Sequence, residues 1–284
     1  MCKKGFKDNI VTTVKAIAKM VSERRVTTYA AAADYHLMIA IPPAVMLMIS
    51  LVRYLPVTEE KLLKLLSDNV PEGVYNVIES ILSSVFNSNG TVTVITAVLM
   101  LISASGAMRS LMKGIYEVYG AKRKEPFLIF AGKAVIYTVV LLAMIIVSLV
   151  VLVYGAQLLE YLQERVPNQS FIDSLITILK DTRYIIWGII LVFVFMIFYH
   201  FLPAEKPKFL SQFPGAAACS VSWGIFSWGY SIYVTVSDKF GAYGILGTVM
   251  IVMMWMYYCL MFFLIGGCIN VYAASRAKKT AAAG

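Results

Sequence analysis

Six long apolar blocks, separated by segments that carry most of the charge, organise the sequence. Each block has about the 20 residues that an α-helix needs to cross a hydrocarbon core ~30 Å thick. A span of this kind must be helical because lipid offers no partner to unpaired backbone groups. The pattern therefore predicts an all-α integral membrane protein with six transmembrane helices. The blocks are Tyr29–Tyr54, Val92–Met112, Ala134–Leu159, Tyr184–Leu202, Phe213–Val236 and Gly244–Ala274.

Positively charged residues indicate how these spans are oriented. Lys and Arg collect on the cytoplasmic side of a membrane. Here they cluster before span one, between spans two and three, after span four and after span six, whereas the other connections are acidic or mixed. The basic segments all fall on one side only if both termini are cytoplasmic. We therefore predict that the connection 113–133 is inside, and that 55–91 and 160–183 are outside.

The same pattern divides the chain into an amphipathic helix at 1–28, a transmembrane domain at 29–274 and a cytoplasmic tail at 275–284. In the first region, apolar residues recur every three or four positions opposite lysines, which is typical of a helix lying in the membrane interface. A helix packed on the cytoplasmic ends of the bundle is an equally good interpretation. Within 55–91, two amphipathic helices that start near Thr58 and Pro71 predict an ordered extracytoplasmic cap.

Composition supports a membrane protein and excludes several other classes. The chain is 60% hydrophobic and 14% charged, more apolar than a soluble domain tolerates. Its net charge of +9 lies in short juxtamembrane clusters, where topology and anionic lipid explain it, so we expect no nucleic-acid partner. The four cysteines predict no disulfide and fit no metal site. Motifs of soluble catalysis are missing, so we expect no enzyme activity, no catalytic residue and no cofactor.

Charged residues inside predicted spans are costly and mark candidate functional positions. Asp34 and His36 lie in the cytoplasmic third of span one. They are two residues apart, about 200° around a helix, so they do not share a face. An isolated carboxylate in hydrocarbon protonates or finds a cation. The sequence therefore predicts either a water-filled cavity at Asp34 or an ion pair with Arg109 or Lys133 at the ends of the neighbouring spans.

Several polar residues map to the same predicted depth and predict a polar cavity open to the cytoplasm. Because helix ends are polar in any membrane protein and basic side chains snorkel to the interface, anchoring is the alternative interpretation. The predicted cavity residues are Asp34, Tyr35, His36, Arg109, Lys133, His200 and Asn270. Pro42 and Pro43 predict a break in span one. Close helix contacts are predicted at Gly215, Gly244, Gly247, Gly266 and Gly267.

The order of several motifs resembles the YihY/BrkB family of bacterial inner-membrane proteins. These motifs include Ala32-Ala33-Asp34-Tyr35-His36 with Pro42-Pro43, Tyr243-Gly244-Ile245-Leu246-Gly247, Trp255-Met256-Tyr257 and Gly266-Gly267-Cys268-Ile269-Asn270. The resemblance covers nearly the whole chain and implies a six-helix inner-membrane protein whose activity is poorly defined. Members have carried the labels "ribonuclease BN" and "serum-resistance factor", and transport is often suggested for them. The family's usual Glu before Ile-Asn is Cys268 here.

Two functions of different classes are consistent with these features. The first is a transporter or flippase-like permease with a cytoplasm-facing polar cavity. The alternative is a non-transporting scaffold for envelope assembly or lipid organisation, in which the external cap and the basic helix at 1–28 are the working surfaces. Expected partners are membrane lipids, with anionic lipid at 1–28, and envelope proteins for the scaffold, while the oligomeric state stays open. The ribonuclease label has no support in the sequence because no cluster of carboxylates or histidines could bind catalytic metals.

Overall fold

The computed structural model describes residues 2–52, 90–121, 125–144, 183–236 and 244–283. Within these ranges the chain forms seven α-helices and one short 3-10 helix, Phe209–Gln212, and no strand. The predicted extracytoplasmic cap and the connection 160–183, up to residue 182, lie outside the described residues. The helices are α1 Cys2–Glu23, α2 Val26–Val52, α3 Gly90–Tyr119, α4 Phe127–Met144, α5 Arg183–Phe201, α6 Phe213–Val236 and α7 Gly244–Ala283.

Four of the described helices are long and apolar enough to cross a membrane, over Val26–Leu47, Val94–Tyr119, Phe127–Met144 and Leu246–Lys279. α5 contributes a shorter apolar stretch, Gly188–Phe201. α6 has 24 residues but carries serines and glycines along its length, which lowers its overall apolarity. The prediction of an all-helical membrane protein is confirmed to this extent. The count of six spans stays a prediction.

Helix ends differ most from the predicted span ends at the connection 113–133 and at the end of the last span. α3 continues to Tyr119 and α4 begins at Phe127, so the predicted connection 113–133 is largely helical. α7 continues to Ala283, so the predicted tail 275–284 extends the last helix instead. Apolarity indicates where a helix leaves the lipid. The helix itself ends only where its backbone hydrogen bonds end. The Ala- and Lys-rich end of α7 has high helix propensity and therefore continues past the apolar block.

The predicted break at Pro42 and Pro43 is wrong, because both prolines lie inside the continuous helix α2. Each proline lacks an N–H, which leaves the carbonyls of Met38 and Ile39 without their usual intrahelical donors. The remaining backbone groups of an apolar span can pair only within a helix. Helical geometry therefore persists on both sides of the two prolines.

The core of the described bundle lies where α2, α3 and α7 meet, and α6 packs against both α7 and α5. α2 and α3 run in opposite directions, because His36 lies against Gly106 and Tyr29 lies against Gly114. α2 contributes small buried residues to this contact, including Ala30 and Ala33. Small residues let helices approach closely in a membrane. The larger buried side chains come mostly from the partner helices and include Met112, Ile115, Phe130, Tyr199 and Leu264.

α1 packs on the bundle through one face and leaves an adjacent face open. The Thr13 and Tyr272 hydroxyl oxygens are 3.3 Å apart, and Ile17 packs against the core. Val11 and Val14 are 51% and 60% exposed. The amphipathic helix predicted at the N-terminus therefore docks on the bundle, and its open face stays accessible to a membrane interface.

Arg24, in the turn between α1 and α2, reaches the C-terminus of α3. Its Nη1 lies 3.9 Å from Glu117 Oε1. Gly120 ends α3 with φ +68°. The Gly120 N–H donates to the Glu117 carbonyl at 3.1 Å, and the Ala121 N–H donates to the Tyr116 carbonyl at 2.9 Å. This is a Schellman C-cap, and a cation beside it is favourable because the last carbonyls of a helix are partly negative.

Candidate functional site

Asp34 is a buried acid on the side of α2 that faces the bundle. It is 5% exposed, and its Oδ1 has no hydrogen-bond partner among the described residues. Neither ion pair nor hydrogen bond connects it to Arg109 or Lys133 in the part of the chain that the structure describes. Its position is about 12 Å along the helix axis from Val26, where the candidate span begins. An acidic group therefore lies inside a span, and no described residue is the partner that would stabilise its charge.

His36 lies on another side of α2 and packs against Gly106 of α3. A Cβ atom at Gly106 would lie 2.8 Å from His36 Nδ1, so the ring occupies the space that glycine leaves. Arg109 and Lys113 follow Gly106 at spacings of three and four residues and therefore lie on the same side of α3 as Gly106. Tyr35 is 60% exposed, and its ring centroid is 5.7 Å from that of His36. Tyr35 and His36 therefore lie together on α2, on a different side of the helix from the buried Asp34.

Lys133 pairs with Glu125 and not with Asp34. Its Nζ donates a hydrogen bond to Glu125 Oε1, and Tyr116 and Tyr137 are further polar neighbours. The pairing of Lys133 with Asp34, one of the alternatives that the sequence leaves open for this acid, is not the one that the described residues form. The physical reason is proximity, because Glu125 lies in the turn that leads directly into α4. The predicted depth of the spans does not show that Glu125 competes with Asp34 for Lys133.

His200 closes the connection between α5 and the 3-10 helix. Its Nδ1 lies 2.7 Å from the Pro207 carbonyl oxygen. The imidazole also packs edge-on against Phe201 and Phe209, with ring centroids 4.7 Å and 5.8 Å away. These contacts hold the chain in its turn towards α6, which is a local structural role.

Asn270 joins α7 to the first turn of α6. It is 2% exposed, and its Oδ1 accepts a hydrogen bond from the Gly215 N–H at 2.7 Å. That N–H is one of the groups that a helix start leaves without an intrahelical acceptor. The Tyr119 hydroxyl lies beside Asn270 and donates to Gln212 Oε1 at 2.6 Å. α3, α6 and α7 therefore meet in one polar layer, in which Asn270 Nδ2 has no partner among the described residues.

The crossing of α6 and α7 is close enough for their backbones to touch. A Cβ atom at Gly215 would lie 2.1 Å from the Gly266 carbonyl oxygen, and one at Gly266 would lie 2.2 Å from the Tyr199 hydroxyl. A Cβ atom at Gly267 would lie 3.2 Å from Ile115. These glycines lie in close helix contacts, as their sequence context predicts. Gly244 begins α7, and Gly247 is buried in the first turns of that helix.

Sequence reasoning missed three members of this layer. Tyr199 is fully buried, and its hydroxyl donates to the Phe263 carbonyl at 2.5 Å. Gln212 is 2% exposed and, with Tyr119, connects α3 to the start of α6. A signal for Gln212 exists in the sequence, because a polar residue directly before Phe213-Pro214-Gly215 stands where a helix start needs hydrogen-bond partners. Tyr119 and Tyr199 gave no such signal, since tyrosine is common at span ends.

The structure therefore groups the predicted cavity residues unevenly. Tyr35 and His36 lie together on α2, His36 packs against Gly106 one turn before Arg109 on α3, and Asp34 is buried on another side of α2. Lys133 and His200 have partners nearby in the sequence, and Asn270 accepts its hydrogen bond from α6. That all seven line one cavity stays a prediction. Within the described ranges, no three His, Cys, Asp or Glu residues lie close enough together to hold a metal ion.

Comparison with known proteins connects this architecture to a family. The family model described as Virulence factor BrkB matches residues 17–284. The chain is also similar to a Bacillus subtilis (strain 168) protein named as the ribonuclease-like protein YfkH, with 24% identity over 246 residues, 86% of this chain and 88% of that protein. No solved structure matches the chain. The family resemblance predicted from the order of motifs is thereby confirmed.

Proposed function

From the premise that the chain belongs to the virulence factor BrkB family of membrane proteins, we propose that it is a transporter or flippase-like permease. In this proposal α5 and α6 complete a set of six spans with the four long apolar helices. Both termini are cytoplasmic, and the protein is a multi-pass protein of the bacterial cytoplasmic membrane. The polar cavity opens to the cytoplasm beside Asp34.

The observation that carries the proposal is the environment of Asp34. An acid inside a span is costly, up to about 2.5–3.5 kcal/mol at the span centre on insertion scales, and such residues mark substrate, ion or proton pathways. Here the carboxyl is 5% exposed, and its Oδ1 has no partner in the described ranges. A purely structural acid would be paired or replaced by an apolar residue, since an ion pair that is incomplete in the interior destabilises a fold.

The glycine contact between α6 and α7 supports movement of one helix against the other. At Gly215 and Gly266 the backbones touch, and the side chain of α7 that bonds to α6 there is Asn270, whereas aromatic side chains of the two helices pack against each other farther along. Large side chains that interdigitate resist sliding because protein interiors are closely packed. A contact made by backbone atoms can shift with less repacking. This crossing is therefore a suitable pivot for a permease that alternates between two arrangements.

The decisive experiment is reconstitution of the full chain in liposomes with two parallel assays. One follows scrambling of a fluorescent phospholipid between leaflets, and the other follows proton movement with an internal pH dye. We expect activity in at least one assay, unchanged in Glu23→Gln and lost in Asp34→Asn. Glu23 is a matched control because it is an exposed acid outside the apolar helices. Equal activity of Asp34→Asn and the unaltered protein would contradict the proposal, as would inactivity of the unaltered protein in both assays.

A scaffold for envelope assembly or lipid organisation is the second candidate, and the open face of α1 favours it. Val11 and Val14 are exposed beside the exposed Lys15. An apolar strip flanked by lysines is suited to an anionic membrane surface or to a partner protein. Under this proposal, Val14→Glu reduces the amount of envelope protein that the tagged full chain captures. Neither the unaltered protein nor the variant is active in the liposome assays. Unchanged capture would argue against it.

We propose no enzymatic activity for the chain. The name of YfkH describes that protein as ribonuclease-like, and no sequence motif of this chain extends the description to it. Incubation of the purified full chain with labelled RNA and Mg²⁺ tests the point. Degradation that copurifies with the protein through two columns would contradict our proposal.

A further inference from the structure

Three basic residues lie on the facing sides of α2 and α3. His36 of α2 occupies the notch left by Gly106 of α3. Gly106, Arg109 and Lys113 recur at spacings of three and four, so they follow one side of α3. His36 and Arg109 are half-buried and Lys113 is exposed. We call His36, Arg109 and Lys113 the basic notch.

The acids that could neutralise the basic notch are placed elsewhere. Glu117, one turn beyond Lys113, pairs with Arg24 at 3.9 Å. Glu125 pairs with Lys133, and Asp34 is buried on another side of α2. Among the described residues, neither Arg109 nor Lys113 forms an ion pair. The basic notch therefore presents two permanent positive charges without a carboxylate partner within the described bundle.

The depth of Arg109 favours an anionic occupant. Arg109 lies about 15 Å along α3 from Tyr119 and inside the predicted span Val92–Met112, whereas Lys113 lies about 9 Å from Tyr119, at the start of the predicted cytoplasmic connection. Lysine at the lesser depth can snorkel to the interface, but the half-buried arginine is farther inside. Charged side chains at membrane depth pair or face water. An anion that enters from the same end would satisfy both.

The hydrogen-bond donors of the basic notch determine which class of anion fits it. The arginine guanidinium forms two parallel hydrogen bonds to phosphate or carboxylate oxygens, and lysine adds a point charge. An imidazole N–H adds a third donor direction. A group with three or more negatively charged or polar oxygens satisfies these donors from different angles, whereas a carboxylate has only two oxygens. The basic notch is therefore matched best by a phosphate group.

We propose that His36, Arg109 and Lys113 bind a phosphate group, carried either by the headgroup of an anionic phospholipid or by a free phosphate-bearing solute. This inference deepens the proposed permease by naming its substrate class, and in that respect it rests on the proposed function. Binding is nevertheless measurable without transport. Gly106 is a positioning residue, because a Cβ atom there would displace the His36 ring that completes the notch.

The test is a binding measurement on the full chain in a neutral detergent. Native mass spectrometry follows titration with phosphatidylglycerol and, for comparison, with diacylglycerol, which lacks the phosphate. A parallel calorimetric titration uses inorganic phosphate. We expect phosphatidylglycerol or inorganic phosphate to bind, and diacylglycerol to bind weakly. Arg109→Gln with Lys113→Gln weakens binding about tenfold or more. Lys278→Gln, which removes an exposed charge near the end of α7, leaves binding unchanged.

Gly106→Ala tests whether binding depends on the geometry of the basic notch or only on the positive charge of the protein. It preserves every charge but moves His36, so we expect weaker binding of the same probe. If the double variant does not fold, Lys113→Gln at an exposed position tests the site alone. Displacement of phosphatidylglycerol by inorganic phosphate identifies a soluble occupant, and resistance to displacement identifies the lipid headgroup. Both outcomes support the proposal.

The proposal would be overturned if three proteins bound the probe equally well: the unaltered protein, the double variant Arg109→Gln with Lys113→Gln, and the control Lys278→Gln. Snorkelling to the interface would then explain why both basic residues lie at this depth. A different combination of results would contradict the proposed function. An unaltered protein that binds phosphatidylglycerol at the notch but is inactive in liposomes contradicts the permease alone. A protein that is active in liposomes but indifferent to Arg109→Gln with Lys113→Gln contradicts the phosphate site alone.

Discussion

Asn270 of α7 accepts a hydrogen bond from the Gly215 N–H at 2.7 Å and so completes the N-terminus of α6 from another helix. Caps of this kind are usually supplied by the residue just before the helix. Here a side chain 55 positions away supplies one. The bond forms where the two backbones touch, so the glycine contact and the cap depend on each other.

Removing this cap is expected to destabilise the protein. Asn270→Ala leaves the Gly215 N–H without an acceptor in a buried place, which costs about 1–2 kcal/mol. Thermal unfolding of the full chain in detergent, followed by tryptophan fluorescence, measures the loss. Ser275→Ala is the control on the same helix, because Ser275 is exposed and bonds only locally to the Tyr272 carbonyl. Identical melting curves for the two variants would refute a capping role for Asn270.

Gly215→Ala is expected to be more damaging than a glycine substitution elsewhere on α6. The added Cβ atom would lie 2.1 Å from the Gly266 carbonyl oxygen, so the helices must separate. Overpacking of this kind costs about 1–3 kcal/mol or more. Gly224→Ala is the matched control, since nothing lies within 4 Å of its added Cβ atom and alanine favours the helix. Expression level and melting temperature of both variants test the difference. A milder effect at Gly215 than at Gly224 is incompatible with the crossing described.

The ion pair between Lys133 and Glu125 is expected to contribute little to stability. The side chains are 40% and 25% exposed, so water and salt screen the pair. A double-mutant cycle with Lys133→Met and Glu125→Gln should give a coupling of about 0.5–1 kcal/mol that falls as salt increases. The exposed Lys19–Glu23 pair, 3.7 Å apart, is the reference and should give about 0.3–0.5 kcal/mol. A coupling far above 1 kcal/mol would instead indicate that the pair is shielded from water.

We expect Asp34 to lower the stability of the fold although the proposed transport requires it. Asp34→Leu replaces a buried acid whose Oδ1 has no partner in the described ranges. Well-packed apolar replacements of buried charged groups are often stabilising by about 1–4 kcal/mol. We therefore expect a higher melting temperature together with lost liposome activity. A lower melting temperature for both Asp34→Leu and Asp34→Asn would show that the carboxyl is structural.

The predicted topology can be tested by labelling single cysteines in intact cells. In a background that lacks the four native cysteines, Ser83→Cys should react with an impermeant maleimide and Lys206→Cys should not. Lys206 is exposed at the connection between α5 and α6, so burial does not protect it. Detergent permeabilisation, which should make Lys206→Cys reactive, is the positive control. The reverse pattern of labelling would invert the orientation.

Local sequence properties determined the class of protein and several of its contacts. Apolar length predicts membrane-spanning helices, because the hydrocarbon core imposes one length and one backbone geometry on any span. The order of motifs predicts the family, which the match over 17–284 confirms. Gly215, Gly266 and Gly267 could be singled out as close contacts, since only small residues allow backbones to approach in lipid.

Tertiary structure decided which groups meet, because pairing depends on helix rotation and on competing neighbours that periodicity does not encode. Lys133 pairs with Glu125, although Asp34 was an equally plausible partner from span depth alone. His36 occupies a notch whose shape depends on Gly106 in another helix. The continuity of α2 through Pro42 is also seen only in the structure, because the sequence shows the missing N–H but not whether the helix continues beyond it. The partner of a side chain is set by distances across the bundle, whereas the sequence specifies only distances along the chain.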